Sequence, residues 1–163
     1  MANDLTPRPV RNSISELSEL ALPNDANTFG NLIGGRVMHL VDVACAIAAG
    51  RHSRLPCVTA SVDHMTFLHP IHIGQLVTLR SSVNRAFNTS MEMGVKVWVE
   101  NLESGEVVHT SSAYLTFVAV DANGKPVRVP PVIPETPDEI RRYEEAGERR
   151  KHRLKEREVH RSK

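Results

Sequence analysis

The chain has 163 residues, 40% of them hydrophobic, and a formal net charge of +1. That length fits one domain of ordinary size. No stretch approaches the roughly 20 apolar residues of a membrane span, the first ten residues lack the apolar core of a secretory signal, and two cysteines, Cys45 and Cys57, are too few for a disulfide framework. A reducing cytoplasm is the expected home. With only seven aromatic residues, the core must be built from Val, Leu, Ile, Ala and Met.

In chain order, residues 1–10 read as a disordered leader. VRNSISELSEL alternates weakly and reads as a first strand. Gly34-Gly35 then opens a helix predicted from Arg36 to about Ala49. Val37, Leu40, Val41, Ala44, Ile47 and Ala48 form its apolar face at helical spacing, and Gly50 fits the residue after its end. CVTASVDHMTF is rich in β-branched residues, with Val58, Ala60 and Val62 on one parity. GQLVTLRSSVNRAF is a further strand candidate, ended by the turn NTS. MEMGVKVWVEN alternates clearly: Met91, Met93, Val95, Val97 and Val99 share one face, Glu92 and Lys96 the other. VVHTSSAYLTFVAV is the longest strand candidate and stops at DANGKP. VPPVIPETP cannot be a central strand, because proline lacks the amide donor. A last helix starts near Pro137 with Thr136 as its N-cap.

From Pro137 onward ten basic residues face seven acidic ones. This segment reads as a solvated, partly frayed helix. Its charges lack the interleaved aromatic residues expected of a single-strand nucleic-acid arm. The order of elements is one strand, a long helix, then four strands, the last three joined by tight turns. A lone apolar helix beside such a meander must be wrapped by it, since neither can otherwise bury its apolar surface. The predicted fold is α+β: a long helix cradled in a curved antiparallel sheet of about five strands, followed by a charged C-terminal helix.

Within the apolar helix stands a carboxylate, Asp42. An unpartnered carboxylate in an apolar site is costly, so it is either hydrogen-bonded or a candidate general base or nucleophile. The first amides of a helix have no internal partner and carry partial positive charge. Gly34 and Gly35 would let a ligand oxygen approach them without meeting a Cβ. Asp42 lies about 10 Å further along the helix axis, too far to act on the same atom. Two such helices packed together would bring the carboxylate of one chain to the glycine pair of the other.

The blocks PNDANTFGNLIGGRVMHLVDVACAIAA, VTASVDHMTFLHPIHIGQLV and NTSMEMGVKVWVEN, in this order, resemble the hotdog-fold acyl-CoA thioesterases, in particular the YciA-type enzymes and the cytosolic brain acyl-CoA hydrolases. The resemblance covers about residues 10–125, taken as one thioesterase domain. Residues 126–163 are a Pro-rich linker and a charged helical tail about which it says nothing. It implies hydrolysis of an acyl-CoA to free acid and CoA, without metal or organic cofactor, CoA being part of the substrate. It also implies a homodimer that assembles further, as a trimer of dimers.

By the same resemblance Asp42 is general base or nucleophile, and Asn27 positions water or thioester from the opposite subunit. A backbone N–H of Gly34 or Gly35 polarises the carbonyl. Asn88, Thr89 and Ser90 contact CoA, with Arg85 nearby for phosphate. Many relatives carry His or Phe before the glycine pair, where this chain has Ile33.

Other assignments are weaker. Cys45 lies in the apolar helix near no base and reads as a core thiol. His64, His69 and His72 lack the spacing of a metal site. A hydratase or dehydratase of the same fold would use a histidine, for which His39 is the candidate. A non-catalytic acyl-CoA-sensing module would need a DNA-binding segment, and none with a helix-turn-helix pattern is expected ahead of the domain.

Overall fold

The computed structural model describes residues 3–162. Strand β1 (Arg8–Pro9) and a single 3-10 turn lead into β2 (Ser15–Leu20). Helix α1 (Gly34–Ser53) is followed by β3 (Cys57–Val62), β4 (Leu76–Ala86), β5 (Ser90–Glu100) and β6 (Val107–Ala119). A two-residue strand β7 (Val132–Ile133) precedes helix α2 (Pro137–Arg161). The main sheet is antiparallel, in the order β2-β4-β5-β6-β3, so the meander β4-β5-β6 forms its centre. β1 and β7 pair in parallel as a separate clasp. The predicted fold is therefore the observed one: a helix held in a curled five-stranded sheet, plus a second, charged helix.

The core lies between α1 and one face of the sheet. Val37, Leu40, Val41, Ala44, Cys45 and Ala48 of α1 meet Val77, Leu79, Met91, Met93, Val95, Val97 and Leu115, all buried. Alternation along β5 selects Met91 to Val99 for this inner face, as the sequence predicts. The alanines let α1 sit close to the strands, and Ser81 Oγ bridges the layers by donating to the Ala44 carbonyl at 2.7 Å.

Four details differ from the sequence reading. Residues 8–10 are not a free leader: they form the clasp, and Val10 is buried. α1 runs through Gly50 and stops only at Arg54, which takes the left-handed cap with φ 60° and whose amide donates to the Gly50 carbonyl. The extra turn exists because His52 and Ser53 are buried, His52 under the clasp with Nε2 donating to the Pro130 carbonyl at 2.8 Å. Ile47, expected on the core face, remains exposed, as do Val58 and Val62 of the edge strand β3.

The fourth difference is the largest. The C-terminal helix, expected to be solvated, packs on the sheet, and Glu92, on the outer face of β5 as the alternation predicts, is completely buried beneath it. Helix α2 covers that face, and Arg149 donates to both Glu92 oxygens, with Nη2–Oε1 at 2.7 Å. Arg153 joins Glu92 Oε2 at 3.0 Å and Asp63 Oδ2 at 2.8 Å, and Asn84 Nδ2 donates to Glu92 Oε1 at 3.0 Å. The Arg149 guanidinium also stacks 3.7 Å from the Tyr114 ring centre. A carboxylate removed from water needs such a set of donors to offset its desolvation. Gly94 makes room for it, since a Cβ there would lie 3.0 Å from the Asn84 amide. The start of α2 follows the sequence closely: Thr136 and Glu139 form a reciprocal capping box.

Candidate active site

The loop ahead of α1 is folded on Asn27. Its Oδ1 accepts from the amides of Phe29 at 2.9 Å and Asn31 at 3.1 Å. Its backbone N–H donates to the Asn31 carbonyl at 2.8 Å, and Gly30 closes the turn with φ 76°. These bonds occupy the carbonyl side of the amide and leave Nδ2 without a hydrogen-bond partner among the described residues. Arg36 holds the base of the loop by pairing with Glu19 and, at 3.2 Å, with Asp25.

The loop delivers the chain to Ile33, the N-cap of α1, which offers no side-chain cap. The first backbone bond at this end is from the Arg36 amide to the Ile33 carbonyl at 3.0 Å. Among the described residues the Gly34 and Gly35 amides have no acceptor, and both glycines are exposed. The Phe67 ring flanks Gly34, where a Cβ would meet it at 3.5 Å, while the space beside Gly35 is open. The result is a pair of donors at the positive end of a 20-residue helix, able to receive an oxyanion.

Asp42 lies two turns along α1, half-buried, and Thr59 of β3 donates its hydroxyl to Asp42 Oδ1 at 2.6 Å. The sequence reading missed Thr59, since a threonine in a strand signals nothing by itself; only its register opposite α1 gives it a role. Its bond fixes the carboxylate orientation and leaves Oδ2 free to accept. Within one chain Asp42 and the glycine amides are separated by about 10 Å of helix axis, so a single subunit does not assemble them.

The surface around these groups is apolar and open. Phe29 is 86% exposed, and Ile33, Met38, Val58, Val62, Phe67 and Leu68 are exposed with it. An apolar patch of this kind marks an interaction surface. It includes the free edge strand β3, whose unpaired backbone is a template for another strand.

The other nominated residues lie elsewhere. Asn88 and Thr89 form the β4–β5 turn, and Ser90 is buried at its base. Arg85 is engaged by α2: its Nη1 donates to the Tyr143 carbonyl at 3.3 Å, and its guanidinium stacks on Tyr143 at 4.2 Å and Phe87 at 5.6 Å. Gly147 lets the helix pass this close. Cys45 is fully buried, with its thiol pushed far above the ordinary range by burial and by Asp42, as suits a core residue and not a nucleophile. His39 makes no hydrogen bond to a carboxylate among the described residues. Nor do those residues contain a group of three potential metal ligands. Among the described residues no helix is long and apolar enough to cross a membrane.

This fold is that of the thioesterase superfamily, to which the chain belongs. The Thioesterase superfamily model matches residues 29–106. The chain is 45% identical over 127 residues to the uncharacterized acyl-CoA thioester hydrolase YkhA of Bacillus subtilis, covering 78% of this chain and 74% of that protein. Among solved structures, an apo-hexameric acyl-CoA thioesterase superposes with TM-score 0.88 at 38% identity, over 92% of this chain and 97% of that one. The acyl-CoA hydrolase of Staphylococcus aureus, solved with butyryl coenzyme A, coenzyme A and coenzyme A disulfide, superposes with TM-score 0.88 at 32% identity, over 96% of both chains. Variants of that enzyme with an asparagine, an aspartate or a threonine changed to alanine have also been solved.

Proposed function

We propose that this protein is an acyl-CoA thioesterase, hydrolysing an acyl-CoA to free fatty acid and CoA at a site shared by two copies of the chain. The observation that carries the reading is the split site. An oriented carboxylate, Asp42, and two unfilled amides, Gly34 and Gly35, lie on one exposed apolar surface but two helical turns apart. A second copy, related by twofold symmetry and joined through β3 and α1, supplies the missing half in each case. The dimer assembles further into a hexamer in this reading, as the hexameric relative does. The same reading needs no metal or organic cofactor, and its setting is the cytoplasm, with Cys45 and Cys57 as free thiols.

The thioester carbonyl oxygen rests on the glycine amides of one subunit. Asp42 of the other, held by Thr59, accepts a proton through Oδ2 from a water that adds to the carbonyl carbon. The amides hold the tetrahedral oxyanion. Collapse re-forms the carbonyl and breaks the C–S bond, and the CoA sulfur leaves with the proton that Asp42 returns. Asn27 Nδ2, free of other bonds, donates to the water or the thioester. A thiolate is a good leaving group, so a strong general acid is unnecessary. Direct attack by Asp42, giving an anhydride that water then opens, uses the same residues. The three residue types changed in the Staphylococcus aureus variants are those of Asn27, Asp42 and Thr59, which supports these assignments.

The test is release of free CoA, followed with a thiol reagent, from acyl-CoAs of increasing chain length. Turnover that tracks chain length defines the acyl tunnel. Binding of all of them without CoA release would leave an acyl-CoA-sensing module in place of an enzyme.

A further inference from the structure

We infer that the hollow between the start of α2 and the outer face of the sheet binds a small dicarboxylate, gripped at one end by Arg80 and Lys96 and at the other by Arg141 and Arg142. Its volume is about 410 Å³, within the range of small-molecule sites. It is separate from the candidate active site. None of Asn27, Gly34, Asp42 and Thr59 lines it, and neither does any residue of the β4–β5 turn nominated for CoA.

The charge of the lining is one-sided: it holds four cations and no carboxylate. Arg80 of β4 and Lys96 of β5 are direct partners in the ladder, and both are exposed. Like charges at such a position repel, and an anion set against both relieves the repulsion. Arg141 and Arg142 come from the near end of α2. Arg80 pairs with Glu16 at 2.6 Å, Arg141 and Arg142 share Asp138, and Glu145 lies 3.1 Å from Arg141. None of these three carboxylates lines the hollow. The pairs stand largely in water, where an ion pair holds its partners weakly. Lys96 has no carboxylate partner among the described residues.

The placement of the cations selects a two-ended ligand. One pair stands on the strands and the other on the helix packed over them, and layers packed in this way lie roughly 10 Å apart. A compact anion such as phosphate or acetate would meet one pair and leave the other unmatched. A short aliphatic chain with a carboxylate at each end meets both, and each guanidinium can donate two parallel bonds to its carboxylate. Ile14, which is exposed, and Trp98, whose ring Arg80 overlies at 5.5 Å, also line the hollow and offer apolar surface to the methylenes.

The experiment is titration calorimetry of the wild-type protein with succinate, glutarate, acetate and inorganic phosphate, repeated on Lys96→Glu and on Arg142→Gln. Lys96 is an exposed strand residue and Arg142 lies on the surface of α2, so each variant should keep the wild-type circular dichroism spectrum. The expected result is one succinate or glutarate per subunit, bound at least tenfold more tightly than acetate or phosphate, with at least a tenfold loss in each variant. The binding should persist in the presence of saturating CoA. Absence of dicarboxylate binding overturns the inference. So does acetate or phosphate binding equally tightly, or an affinity unchanged in either variant. Displacement by CoA would assign the dicarboxylate to the substrate site and overturn it as well. Hydrolysis of acyl-CoA plays no part in these readings, so they stand apart from the thioesterase test.

Discussion

Thr59 donates its hydroxyl to Asp42 Oδ1 at 2.6 Å, joining the edge strand of the sheet to the central helix at the carboxylate. The bond selects which carboxylate oxygen is free. Thr59→Ala should therefore lower kcat by about tenfold, the equivalent of one lost hydrogen bond to a charged group, and Thr59→Ser should restore it. Asp42→Ala should lower CoA release by at least about 10² with an unchanged circular dichroism spectrum. Turnover of a good acyl-CoA by the folded Asp42→Ala protein would remove Asp42 from its role.

The proposed split site predicts that two inactive variants complement. Asn27→Ala and Asp42→Ala subunits, unfolded together and refolded as mixed assemblies, should regain up to about a quarter of wild-type activity if random pairing forms one intact site per mixed dimer. Each variant refolded alone stays inactive. No regain after confirmed subunit exchange would place Asn27 and Asp42 in the same subunit's site.

Glu92 is the anchor of α2. Glu92→Ala leaves the partly buried Arg149 with only the longer pairing to Glu145 at 3.7 Å and Arg153 with Asp63 alone. It should destabilise the protein by about 3–5 kcal/mol, read as a lower urea midpoint. Limited proteolysis should then cut within α2 before the sheet. A midpoint within error of wild type would mean that α2 is held by its aromatic contacts alone.

His52 gives stability a pH dependence of known sign. Burial lowers its affinity for a proton below the ordinary value of 6.5; the bond to the Pro130 carbonyl opposes this and Arg8 reinforces it. The unfolded imidazole therefore takes up a proton near pH 6.5 while the folded one resists. Stability is fully present above that pH and falls below it, by up to about 1.4 kcal/mol per pH unit. His52→Gln should flatten the urea midpoint between pH 7 and 5 relative to wild type.

Legibility in the sequence followed the range of the interactions. The helix start at Gly34-Gly35, the alternation of β5 and the Thr136 cap are local signals, and each appears where the residues place it. The burial of Glu92 was hidden because alternation names the face of a strand but not what covers it, and α2 lies far along the chain. Gly50 looked like a helix end because nothing nearby in sequence shows that His52 is buried beneath a clasp made by residues 8–9 and 132–133. Thr59 was invisible for the same reason: its partner Asp42 lies on another element.

In the proposed dimer the unfinished edge at β3 ties assembly to survival as well as to chemistry. A solitary subunit would carry an open row of backbone donors and acceptors beside Val58 and Val62 in water, the arrangement from which misassociation begins. Dilution should therefore erode folding and turnover together, making subunit abundance a control on whether the protein works at all.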